Sequence, residues 1–164
     1  MRNNHKTWMG AITVAAGLAV LASAGLQAAP PESASGDFVV EDLVVNSVEP
    51  KGETCHIELT ARFRLEGTFN GSFDADFQIV HLGACGEPAK QIFVAQGTFT
   101  GEVDGEEGSF DFTFQGEIDE EGQAEGDLVI GRGTDDLADL SGRITLTGTA
   151  GVDGTYAGRI HFVP

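Results

Sequence analysis

The chain has 164 residues and a formal net charge of −17, with 26 acidic against 9 basic residues. Such an excess of carboxylates repels nucleic acid and anionic membranes, so the sequence disfavours both as binding partners. The sequence contains no P-loop, dinucleotide fingerprint or nucleophile elbow, and we therefore predict no cofactor.

The first residues are typical of a bacterial secretory signal peptide. Arg2 and Lys6 precede the apolar run MGAITVAAGLAVLASAGL, and small residues then offer cleavage after Ala24 or Ala28. A membrane anchor is the alternative, because residues 9–26 are long enough to span a bilayer. We favour the signal peptide, which predicts a secreted or periplasmic protein that leaves the membrane after cleavage.

From Thr54 onward, apolar and polar side chains alternate with a period of two, which is typical of strands with one buried face. Residues 38–48 alternate less regularly but are apolar enough to form a first strand. The pattern predicts eight strands, at residues 38–48, 55–69, 73–79, 93–103, 110–118, 125–130, 143–147 and 155–162. We interpret the phenylalanines as core, because large apolar residues at this period are mostly packing. The expected buried residues are Phe63, Phe77, Phe99, Phe112 and Phe114. The expected exposed residues are Arg64, Asp76, Thr98, Asp111 and Thr113.

Turn sequences separate these strands, at Asn70-Gly71 and at residues 104–108, 119–122 and 152–154. Short turns imply antiparallel neighbours. We therefore predict an all-β fold, an eight-stranded antiparallel up-and-down barrel, with a closed sandwich as the alternative, because closure removes exposed strand edges. The predicted organisation is a signal peptide at residues 1–28, a flexible linker at 29–36 and a single β-barrel domain at 37–164.

Cys55 and Cys85 are the two cysteines of the chain, and export predicts that they form a disulfide. They lie at nearly equal distances from Asn70-Gly71, so a hairpin with its turn there would bring them to the same end. A zinc site that uses both cysteines is disfavoured, because Cys55 and the adjacent His56 point to opposite faces of a strand. We predict no metal site.

The predicted strands place no acidic residue on the apolar face, so the sequence contains no pair of inward carboxylates for acid–base catalysis. We assign no catalytic residue. His81 and Arg132 do follow the apolar phase, and we predict them as ligand-binding residues inside or at the mouth of the barrel. The alternative is that His81 is a hydrogen-bonded histidine near a strand end and that Arg132 has left its strand at Gly131.

The segment GRGTDDLADLSG, residues 131–142, resembles the G-x-G-T-x-x-L-x-x-L-x-G segment of the allene oxide cyclase barrel superfamily, which includes dirigent-like proteins and bacterial exported families of unknown function. The ending GTYAGRIHF, residues 154–162, resembles the last strand of the bacterial group. The resemblance implies an eight-stranded barrel that holds an apolar substrate. It also implies an inward carboxylate in the cyclases, and this chain has none in its predicted strands.

These observations predict an exported barrel that is not an enzyme and that binds a small apolar ligand or a protein partner. The alternative is a cyclase-like or dirigent-like scaffold that steers a reactive apolar substrate. With so many inward phenylalanines, we expect a largely filled interior. The sequence makes no prediction of the oligomeric state.

Overall fold

The computed structural model describes residues 30–163, which form a closed barrel of eight antiparallel strands. Each strand pairs with its neighbours in sequence, and β1 pairs with β8 to close the ring. The predicted antiparallel up-and-down barrel is therefore confirmed. The strands are β1 (Glu32–Lys51), β2 (Thr54–Gly67), β3 (Phe69–His81), β4 (Gln91–Val103), β5 (Glu106–Ile118), β6 (Gln123–Asp135), β7 (Leu140–Thr149) and β8 (Asp153–Phe162).

The interior is built from apolar side chains of β2 to β8, while β1 contributes Ala34 and Phe38 and leaves Val44, Val45 and Val48 exposed. All five phenylalanines that the alternation predicted as core are buried, and all five polar residues predicted as outward are exposed. On the outer face, polar side chains of neighbouring strands contact each other, as in the ion pair between Arg62 and Asp74 at 2.7 Å. The period-two pattern therefore assigned the two faces of these strands correctly.

The predicted end of the linker and the predicted position of the turn between β2 and β3 are wrong. The linker was expected at residues 29–36, but β1 already begins at Glu32, because Glu32–Val39 pairs with β8 and closes the barrel. The turn between β2 and β3 does not lie at Asn70-Gly71. The register pairs Leu65 with Gly71 and so centres the hairpin on Thr68. The predicted signal peptide, residues 1–28, lies outside the described residues.

Glycines inside the barrel give the aromatic rings room. A Cβ atom built on Gly126 would lie 2.6 Å from Cε2 of Phe114 and 2.9 Å from Cζ of Phe93. The two rings therefore lie against the backbone of β6, with their centroids 4.9 Å apart. Any larger residue at Gly126 would displace a ring or a strand.

The two ends of the barrel differ in packing. At the closed end, where β3 begins and β8 ends, Phe69 makes edge contacts with the rings of Phe99, Phe110 and Tyr156. The hydroxyl of Tyr156 accepts a hydrogen bond from the backbone N–H of Phe69 at 2.9 Å and lies 3.2 Å from the carbonyl oxygen of Glu66, to which it can donate. This end is filled by side chains.

The open end lies where β3 and β5 finish and β4 and β6 begin. Beyond Val39, β1 no longer pairs with β8 and continues with β2 alone to Lys51, apart from one hydrogen bond from Val40 N–H to the carbonyl of Val152. The β1–β2 hairpin therefore extends past the first residue of β8. Within residues 30–163, no helix is long and apolar enough to cross a membrane.

Candidate functional site

A cavity of about 270 Å³ occupies the open half of the barrel. It reaches the surface, because Leu43, Thr149 and Gly151 line it and are exposed. Its side chains are apolar, apart from Gln91 and Thr149. The lining residues are Phe38, Val40, Leu43, Leu59, Ala61, Phe63, Phe77, Ile79, Gln91, Phe93, Phe114, Ile118, Gly122, Ala124, Gly126, Leu146, Gly148, Thr149, Ala150 and Gly151.

Aromatic rings form one wall of this cavity. Phe77 lies 6.1 Å from Phe63 and 5.7 Å from Phe93, measured between ring centroids, so the three rings are continuous across neighbouring strands. Phe93 and Phe114 continue the same wall. These four phenylalanines are buried in the core and also line the cavity. Phe112 is buried in the core but does not line the cavity.

Small residues explain why the open half is not filled. Ala124 and Gly148 oppose each other on β6 and β7, and neither fills the space between the sheet and the opposite wall. The turns at Gly122 and Ala150 lie together over this region, because the Ala150 N–H donates a hydrogen bond to the Gly122 carbonyl at 2.9 Å. The expected filling of the interior is correct for the closed end and wrong for the open end.

The inner side of the β1–β2 hairpin continues the wall beside Phe63, which also belongs to β2. Leu43 pairs with Ala61, and Leu59 pairs with both Val45 and Phe77. Leu43, Leu59 and Ala61 all line the cavity. The part of the hairpin that extends beyond β8 therefore adds apolar surface to the mouth, and no charged side chain contributes to that surface.

A disulfide lies at the rim of the open end. Cys55 and Cys85 are bonded, with their Cα atoms 5.0 Å apart. Cys55 is the second residue of β2 and is buried, and Cys85 belongs to the connection between β3 and β4. The predicted pairing is present, although the hairpin turn used to argue for it lies elsewhere. The bond ties the β3–β4 connection to the tip of the β1–β2 hairpin, where Cys55 pairs with Pro50 next to the turn.

Comparison with known proteins identifies the family. A model described as "Protein of unknown function (DUF3224)" matches residues 34–158. The chain belongs to this family. A crystal structure of a DUF3224 protein of unknown function from Shewanella oneidensis MR-1 is similar at 17% sequence identity and a TM-score of 0.62, over 82% of this chain and 100% of that one. At this identity the similarity supports the fold alone. No curated protein matches the chain.

In this DUF3224 barrel, His81 lies near the cavity but does not line it. It is 6% exposed, it ends β3, and it stands between Cys55 and Gln91 in the strand register. Its buried Nε2 atom has no hydrogen-bond partner among the described residues. The predicted inward orientation is therefore correct, and its role as a ligand-binding residue stays a prediction.

Arg132 has a different position from the one predicted. Phe110 pairs with Gly133 and Phe112 with Ile130, so Gly131 and Arg132 together oppose the single residue Asp111. This β-bulge shifts the alternation by one residue and turns Arg132 outward, where it is exposed. It lies toward the closed end of β6, away from His81. Its inward orientation was wrong, and ligand binding at Arg132 has no support from the cavity geometry.

No acid or base lines the cavity. Among residues 30–163 no group of three or more His, Cys, Asp or Glu side chains is placed to hold a metal ion. Two groups outside the cavity have raised pKa values: the hydrogen bond and charge of Asp74 raise the pKa of Arg62, and burial raises the pKa of Tyr156. The cavity can therefore enclose an apolar molecule, but its walls provide no group that would transfer a proton.

Gln91 lines the cavity but was not among the predicted ligand-binding residues. It begins β4 and shares the phase of Phe93 and Ala95, so the alternation did contain a signal for an inward polar residue. The alternation did not predict that the small residues of β6 and β7 would leave a cavity, because only the closed barrel shows which rings they face.

Proposed function

We propose that this protein is an exported binding protein that holds a small apolar molecule in the open half of its barrel. One observation carries the proposal. An apolar cavity of about 270 Å³ reaches the surface and is lined by no charged side chain. An eight-stranded barrel is just wide enough to be filled by its own side chains or to hold one small ligand. Here the closed end is filled and the open end has room.

Apolar burial would drive the binding. Each Å² of apolar surface that a ligand removes from water contributes about 25 cal/mol, and the aromatic wall of Phe63, Phe77 and Phe93 offers a continuous contact surface. Because the cavity walls are strands of a closed barrel, little ordering of the protein would oppose binding. The disulfide also supports a secreted or periplasmic location, which the N-terminal sequence predicts.

A cyclase-like or dirigent-like scaffold would use the same cavity to orient a reactive apolar substrate. Steering by shape alone needs no catalytic side chain, so the resemblance keeps this as the second candidate. The lining favours simple binding, because Gln91 and Thr149 are its polar side chains and neither is an acid or base at neutral pH.

The cavity can be tested by filling it. Ala124 is half-buried at the mouth, so Ala124→Phe places a ring in the space that a ligand would occupy. Val129→Phe is the matched control, since Val129 lies on the same strand but is exposed on the outer face. The probe is butylbenzene, an uncharged hydrocarbon, and binding is followed by NMR shifts of the cavity residues and by the rise in melting temperature.

We expect the native protein and Val129→Phe to bind butylbenzene and Ala124→Phe to lose at least about tenfold in affinity. Native mass spectrometry of the protein isolated from its own culture would show whether it retains a molecule. Equal binding of butylbenzene by both variants would show that the cavity is not its binding site.

A further inference from the structure

The cavity volume limits the size of its ligand. An apolar cavity of about 150 Å³ holds benzene, and scaling this to about 270 Å³ gives a ligand of roughly ten non-hydrogen atoms. Drug-sized ligands occupy pockets of about 300–1,000 Å³, so the ligand is smaller than those. A molecule of this size would fill the cavity, and a polar group that lies inside it would contact the lining rather than bulk water.

The charges around the open end oppose an anionic ligand. Lys90 and Lys51 are the lysines at this end among residues 30–163, and both are paired. Nζ of Lys90 lies 2.6 Å from a carboxylate oxygen of Glu117, and Nζ of Lys51 lies 3.6 Å from one of Glu49. Neither lysine lines the cavity. A carboxylate drawn into the cavity would lose its hydration without gaining a cationic partner, which is strongly unfavourable.

A cationic ligand would meet the same obstacle inside the cavity. No carboxylate lines it, so an ammonium group of a molecule this small would also be buried without a counter-charge. The acidic surface of the chain can attract a cation from a distance, but that attraction is screened by salt. It does not replace a partner at the buried group.

Gln91 provides the polar contact that the cavity does offer. Its amide carries both a donor and an acceptor, and it lines the cavity at the first residue of β4, opposite Ile118 on β5. A neutral hydroxyl or carbonyl group can hydrogen-bond to such an amide in either direction, so it can enter the cavity without being left unsatisfied.

We infer that the ligand is an uncharged amphiphile of roughly ten non-hydrogen atoms, with a hydrocarbon body and one hydroxyl or carbonyl group that hydrogen-bonds to Gln91. This inference rests on the proposed function and adds the ligand class and the residue that determines it. The site selects against the carboxylate and the amine of the same carbon skeleton.

The test uses four probes with one hydrocarbon body: butylbenzene, phenylbutanol, phenylbutanoate and phenylbutylamine, with each polar group at the end of the chain. Affinities are measured by NMR titration near neutral pH and at physiological salt. We expect phenylbutanol to bind at least about tenfold more tightly than either charged probe. Gln91→Leu should weaken phenylbutanol binding by about tenfold and leave butylbenzene binding unchanged. Gln96→Leu, an exposed position on the same strand, is the control and should change neither.

The results distinguish an error in the ligand class from an error in the proposed binding function. If phenylbutanoate or phenylbutylamine binds as tightly as phenylbutanol, the ligand class is wrong although the cavity is a binding site. If Gln91→Leu weakens butylbenzene and phenylbutanol equally, Gln91 does not recognise the polar group. If none of the four probes binds, the proposed function fails and the ligand class fails with it.

Discussion

Removing the hydroxyl of Tyr156 should destabilise the closed end of the barrel. In Tyr156→Phe the ring stays, and its edge contact with Phe69 is kept. The backbone N–H of Phe69 loses its acceptor at 2.9 Å, and this N–H is buried. A buried donor without a partner costs about 1–3 kcal/mol, so the melting temperature should fall by roughly 3–10 °C.

The same hydroxyl makes a pH-dependent contribution to stability. Burial raises the pKa of Tyr156 above its ordinary value of 10.0, with a further increase from the charge of Asp37. The unfolded chain therefore loses the phenol proton first as the pH rises. The stabilisation is fully present below the unfolded-state pKa and is lost as the pH rises through the folded-state pKa.

Two assays check this reasoning. Thermal unfolding of the native protein and Tyr156→Phe near pH 7 measures the hydrogen-bond contribution, with the exposed Thr155→Val as control, for which we expect a change within about 0.5 kcal/mol. Tyr156 is the single tyrosine of the chain, so phenolate absorbance follows its titration directly. An unchanged melting temperature for Tyr156→Phe, or a titration at the same pH in the folded and urea-unfolded protein, would refute the argument.

Three further changes test the barrel. Reduction of the disulfide between Cys55 and Cys85, which are 30 residues apart, should lower the free energy of unfolding by about 3–4 kcal/mol, measured by urea denaturation with and without reductant; equal midpoints would contradict this. Phe112→Ala, at a residue 3% exposed, should cost about 3–5 kcal/mol, and an unchanged melting temperature would contradict its assignment to the core. Gly126→Ala should cost about 1–3 kcal/mol, because its Cβ would lie 2.6 Å from Phe114; a stabilised variant would show that the ring moves freely.

The strands were predictable because the alternation of apolar and polar residues lies within each strand. A side chain's face follows from its position in the alternation, and Phe112 and Asp111 point to opposite sides for that reason alone. Arg132 was not predictable in this way. Arg132 lies in a β-bulge, where it and Gly131 together face a single residue of β5. Only the pairing of the two strands shows that β6 has an extra residue there.

The turn and the cavity depend on more distant contacts. Asn70-Gly71 is a common turn sequence, yet both residues pair with β4, at Glu102 and Gly101, and the chain reverses at Thr68 instead. The cavity depends on which residues face each other across the barrel. Ala124 and Gly148 on one side leave space in front of rings from β2 to β5, and no stretch of sequence contains both sides.

The cavity lies at the open end of the barrel, whereas the rings packed around Phe69 stabilise the closed end. A fully enclosed apolar void of about 270 Å³ would cost on the order of 6 kcal/mol, which is an upper bound here because the mouth is open to water. The closed end offsets such a cost through the packed rings around Phe69 and the hydrogen bonds of Tyr156. Residues such as Ala124 can therefore stay small without unfolding the barrel. A ligand that fills the space would restore the missing contacts and stabilise the folded state according to its affinity and concentration.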